Sequence, residues 1–151
     1  MKQTEITDLL DDPDGASDAL LALAADPQGQ DALICIALGE RDERLLSSII
    51  HGSALAAQRA VKGVLSRRLL SPDMASLGAF TDAVARLESP NAGVLSVSAW
   101  ATWAMGDDDS ALDLAHRAQA LAAGQTALAG AAIALIEAGE TPQSAAKEQS
   151  A

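Results

Sequence analysis

The sequence predicts an all-α fold, a compact bundle of about seven or eight short helices, on three observations. Alanine and leucine, the strongest helix formers, supply 34 and 21 of the 151 residues. Residues that strands favour are scarce: seven Ile, five Val, two Trp, one Phe and no Tyr. Proline and glycine recur at intervals that suit helices of ordinary globular length. Nearly half of the apolar set is alanine, so the core is built of small side chains.

A first helix is expected over residues 4–10, ended by Asp11-Asp12-Pro13-Asp14-Gly15, which carries turn chemistry. The second, over 17–25, presents Leu20, Leu21, Leu23 and Ala24 for burial and is stopped by Pro27. Residues 31–38 (DALICIAL) form a continuous apolar run that suits a buried strand as well as a buried helix. Helix is the expectation, because no second strand exists to pair with it and an isolated strand leaves backbone groups unsatisfied. Gly39 supplies its C-terminal cap position. Two helices follow, over 41–50 and 53–70, around His51-Gly52, with Ser53 placed to cap the second. In that helix Ala57, Val61, Val64, Leu65 and Leu69 share one face, while Arg59 and Lys62 project from the other.

Ser71-Pro72 and Ser89-Pro90 read as a repeated start device, a capping hydroxyl followed by proline at the first helical position. Helices over 72–87 and 90–105 are expected from them. Gly106, Gly124 and Gly139 mark further ends, so the C-terminal third divides into three helices joined by tight turns. The reading is thus one helical domain over 1–140, with a frayed tail at 141–151 that has no apolar face.

The charge is uneven. Residues 1–50 hold 3 basic and 11 acidic side chains (net −8), residues 51–105 hold 5 and 3 (net +2), and the remainder holds 2 and 7 (net −5). An overall charge of −11 repels phosphate backbones, which disfavours nucleic acid as a partner. No apolar run is long enough to span a bilayer, and MKQTEITDLL lacks the plan of an export signal, so a cytoplasmic protein is expected. One cysteine, Cys35, allows no internal disulfide and no multi-cysteine zinc site.

Each chemical template fails in turn. His51 and His116 have no partner at metal-ligand spacing. His51 sits at a helix end, where a histidine meets the negative pole of the dipole. Cys35 lies inside an apolar run, where burial raises a thiol pKa, and reads as structural. Asp12-Pro-Asp14-Gly15 would place Leu10 and Leu21 at obligatory calcium-ligand positions, and Asp107-Asp108-Asp109 has neither glycine nor glutamate in register. These acids read as turn and cap residues, with Asp109 or Ser110 capping the helix that begins at Ala111. No phosphate loop, nucleophile elbow or HExxH is present, so no cofactor, no metal and no catalytic residue are assigned. Trp100 and Trp103 share a helix flank, and tryptophan is enriched at binding hot spots. With Phe80 the one other aromatic, both are expected to anchor the core, with one lining a groove or subunit contact as the alternative.

Two resemblances arise at the C-terminal end. Trp103-Ala-Met-Gly106 followed by Ala111-Leu-Asp-Leu-Ala115-His-Arg-Ala118 resembles a tetratricopeptide hairpin, in which Trp fills a hole and small residues admit the partner helix. The stretch GVLSVSAWATWAMGD (93–107) with SALDLAHRA (110–118) resembles the C-terminal helical region of an uncharacterised actinobacterial and actinophage family, and 16–38 is similar to an earlier helical part of it. Together these cover about half of the chain. The family's His-Pro-Pro and Ser-Leu-Val segments find no counterpart here, and Asp107-Asp108-Asp109 stands where its members show Gly-Asp-Gly. The resemblance implies a helical fold and an actinobacterial or phage source, and carries over no catalytic residue.

The functional expectation is a small acidic interaction module without catalytic activity, binding an unidentified protein partner through Trp100, Trp103, Arg59 or Lys62. Self-association is part of that expectation, since alanine-rich faces permit close helix approach. The alternatives are an acidic decoy that occupies a nucleic-acid-binding site, and a DNA-binding regulator that uses 53–70 as its recognition helix.

Overall fold

The computed structural model describes residues 13–122 and 126–150. Among them it contains nine helices and no strand: α1 (Pro13–Ala24), α2 (Pro27–Ala37), α3 (Glu43–His51), α4 (Ala54–Arg68), α5 (Met74–Ala85), α6 (Ala92–Ala104), α7 (Asp108–Leu121), α8 (Ala127–Glu137) and α9 (Pro142–Ser150). The all-α expectation holds, including the helical state of 31–38, which lies within α2 and the turn that closes it. The expected helix at 4–10 and the glycine stop at 124 lie outside the described residues.

α6 is the axis of the assembly. All thirteen of its residues are buried, as physics requires of a helix that is apolar on every side. It packs against α1, α2, α5, α7 and α8. Two of its three hydroxyls are satisfied within the helix, Ser96 donating to the Ala92 carbonyl at 2.7 Å and Thr102 to the Ser98 carbonyl at 2.7 Å, so they enter the core without loss. With most of the other buried apolar residues α6 forms one contiguous cluster that runs from Leu20 on α1 to Ala146 on α9.

Three turns share one construction. Gly39 adopts φ 101°, a left-handed conformation that glycine alone takes without strain. Its N–H meets the Ile36 carbonyl at 3.0 Å, and the Glu40 N–H meets Cys35 at 2.9 Å, which closes the end of α2 as a Schellman motif. Gly106 and Gly139 repeat this after α6 and α8. In each case the next residue is an acid that starts the following segment. Glu40 accepts from the Arg41 and Asp42 N–H groups. Asp107 caps α7 through the Ser110 N–H at 3.1 Å, and Glu140 accepts from the Ser144 hydroxyl in the first turn of α9.

Five boundaries in particular differ from the sequence expectation. Residues 13–15 are the first turn of α1 and not a loop, consistent with the fitness of proline for the first helical position. The Ser-Pro pairs do not cap: Asp73 caps α5 and Asn91 caps α6, each with a side chain that accepts from the N–H three residues on. Asp73 and Asn91 stand directly after the prolines and are caps of the same rank as serine, so each helix starts two residues later than the Ser-Pro pair suggests. At α7 the start is earlier than expected: the cap is Asp107, and Asp108 and Asp109 occupy the first turn. Finally, the expected frayed tail is helix α9, packed along α4 with Ala145 and Ala146 buried. Two methyl groups leave little hydrophobic signal in a sequence, yet they are what lets two helices approach closely.

The end of α1 is held by main chain. Gly29 of α2 and Gly93 of α6 face the carbonyls of Leu23 and Ala24 so closely that a Cβ on either glycine would lie 1.9 and 1.8 Å from those oxygens. Two amides complete the joint: Gln30 donates to the Ala24 carbonyl at 2.9 Å and Asn91 to Leu21 at 3.1 Å. They answer carbonyls that a helix end leaves unpaired.

Candidate functional site

The residues singled out from the sequence part into two groups. Trp100 and Trp103 lie in the core, 5 % and 1 % exposed, with ring centroids 5.5 Å apart and planes inclined by 58°. The Trp103 indole N–H donates to the Glu140 carbonyl at 3.1 Å, which ties the end of α6 to the corner between α8 and α9. Both rings are committed to packing. Arg59 and Lys62 are exposed on α4.

The outward face of α4 is the strongest candidate surface. Positions 55, 59, 62 and 66 are spaced by four, three and four residues and fall in one row. Leu55 is 58 % exposed at the head of that row, followed by the exposed Arg59 and Lys62. The opposite face is fixed: Ala57 and Val64 are buried, Leu69 just beyond the helix is buried as well, and Val61 and Leu65 pack against the core. Ser53 caps the first turn through the Ala56 N–H at 3.1 Å, as the sequence indicates. The row is therefore presented on a rigid element, the condition for a specific contact.

The last turn of α4 is anchored by a buried carboxylate that the sequence reading missed. Glu40, 5 % exposed, accepts from Arg68 Nε at 3.2 Å and lies 3.7 Å from Arg67. Next to it the Arg41 guanidinium donates to the Ile36 and Glu40 carbonyls, both at 2.8 Å, and to Ser76 Oγ at 3.1 Å. The Ser76 hydroxyl donates in turn to Ile36 at 3.2 Å. This network joins the end of α2 to α4 and α5 and places a cation at the negative pole of α2. The signal available in sequence was the Gly-acid turn at 39–40 together with Arg67-Arg68, which only tertiary structure brings together.

Other candidates resolve as structure. Cys35 is fully buried, and its thiol is pushed up to about 12 by burial, reinforced by the nearby Asp31 and Glu40 carboxylates. The expected behaviour is a thiol inert to a disulfide reagent at pH 8 in the native protein and modified stoichiometrically after denaturation. Rapid native labelling would contradict the packing of α2. His51 ends α3 and is exposed, at the helix terminus expected for it. Among the described residues no three His, Cys, Asp or Glu side chains converge in a metal-binding geometry, and no helix is long and apolar enough to cross a membrane. A cleft of about 670 Å³ lies where α1 and α7 end and α2, α6 and α8 begin. It is lined largely by alanine and proline, and its amides, Gln30 and Asn91, already bind α1 carbonyls.

Comparison with protein-family models, with curated proteins and with solved structures gives no match to this chain. No residue role is thereby supplied from outside, and the functional reading rests on the surface itself.

Proposed function

We propose that this chain is a helical interaction module that receives an acidic protein partner on the outward face of α4. The observation that supports this reading is the row Leu55, Arg59 and Lys62, an exposed apolar side chain beside two exposed cations on a chain whose net charge is −11. A large apolar residue supplies contact area, and local positive charge on an acidic protein selects and steers an acidic partner. In this reading the α6–α7 hairpin, with Trp103 near its turn, is a tetratricopeptide-like supporting element. The exposed Arg59, Lys62, Arg67, Arg86 and Arg117 count against a uniform acidic mimic of nucleic acid.

The test compares capture from host lysate by the full chain and by the variant L55D/R59E/K62E. All three side chains are exposed, so the helical circular dichroism should be unchanged. The expected result is a protein retained by the parent chain, eluted by raised salt, and reduced at least about tenfold on the variant, as loss of two charge contacts and an apolar anchor implies. Identical retention on both would overturn the assignment to α4. Retarded DNA at low salt, lost in the same variant, would move the reading to nucleic acid.

A further inference from the structure

We infer that a furrow along the connection between α5 and α6 is a docking site for the chain's own first twelve residues. Two adjoining cavities, of about 350 and 330 Å³, share Leu87 and Glu88 in the connection between α5 and α6. One is walled by Leu21 of α1 and the other by Leu95 of α6 and Leu114 of α7. Leucine side chains thus alternate with polar groups along the furrow. Arg86 at one end and Arg117 at the other are exposed on its rim, and among the described residues that line it Glu88 is the one carboxylate. This furrow takes an acidic segment with a short apolar stripe.

Residues 1–12, MKQTEITDLLDD, have that chemistry. Ile6, Leu9 and Leu10 are spaced by three and one, and Glu5, Asp8, Asp11 and Asp12 outnumber the one cation, Lys2. The segment also joins the fold beside the site. It leads into Pro13, and Ser17, one helical turn or about 6 Å further along α1, already lines the furrow. A tether this short gives the segment an effective concentration on the order of millimolar, which lets a modest apolar contact and two ion pairs hold it. Charge complementarity and tether length favour this occupant over a second copy of the chain, whose net charge of −11 matches the furrow no better and lacks the tether.

The experiment uses the full chain. A photoreactive benzoylphenylalanine at position 9 should crosslink within the same chain, to peptides that contain Leu87 or Leu114. Charge reversal in R86E/R117E, at two exposed positions, should leave the helical circular dichroism unchanged and lower the melting temperature by no more than about 5 °C, the scale of a lost surface contact in a domain of this size. The same variant should raise amide exchange in residues 4–10 by about tenfold, as expected when a surface ion-pair contribution near 1.4 kcal/mol is lost. Adding D8K/D11K should restore much of that protection. Exchange in 4–10 that is equal in parent and R86E/R117E would overturn the inference. So would crosslinks that map away from the furrow or join two chains.

Discussion

Alanine at position 93 is expected to cost the protein about 3 kcal/mol or more, the upper end for overpacking a filled site. The added methyl would lie 1.8 Å from the Ala24 carbonyl oxygen. That obstacle is backbone, so no change of rotamer relieves it. α1 cannot withdraw freely either, because Gln30 holds the same oxygen at 2.9 Å and Asn91 holds Leu21 at 3.1 Å. In a domain of this size the loss corresponds to a fall of about 10 °C in melting temperature. Gly63→Ala is the control, since nothing lies within 4 Å of a Cβ built there, and it should be neutral or stabilising by up to about 1 kcal/mol. Thermal melts of the two variants with equal midpoints would show that α1 and α6 are not in this contact.

Truncation of Trp103 to alanine should destabilise by about 3–5 kcal/mol, the range for deletion of a large buried aromatic. The ring is 1 % exposed, meets Trp100, and anchors the Glu140 carbonyl. Trp103→Phe separates the two contributions. It keeps most of the packing and loses the indole donor, so its cost should be nearer about 1–2 kcal/mol, the scale of one hydrogen bond with its acceptor left less well satisfied. Urea midpoints read both. An alanine variant as stable as the parent would mean that α6 does not carry the core. A domain with a total stability of about 5–15 kcal/mol has little room for such a loss.

How much of this was legible in sequence depended on whether the signal was local. Ser53, Gly39, Gly106 and Gly139 were read correctly because a cap or a left-handed turn needs a particular residue type at one position. The apolar face of α4 followed from spacing, and the exposure of Arg59 and Lys62 with it. The Ser-Pro starts misled because Asp73 and Asn91, caps as good as serine, stood one residue beyond each proline. α9 was hidden because burial of Ala145 and Ala146 changes almost nothing in a hydrophobic pattern. Gly29 and Gly93 were silent for a different reason. Inside a helix a glycine reads as a weakness, and only the neighbouring carbonyl turns it into a contact. At the candidate surface the row on α4 was visible in advance. The Glu40 clamp beneath it was not, since its partners come from segments 28 residues apart.

The seating of α1 has a consequence for how this fold can vary. Where side chain meets side chain, a larger residue on one element can be matched by a smaller one on its neighbour, and drift proceeds by compensation. At Gly29 and Gly93 the opposing surface is a peptide group, which every amino acid possesses in the same size. No partner substitution can make room there. The two positions therefore admit hydrogen as the side chain and nothing else, unless the whole first helix is reseated.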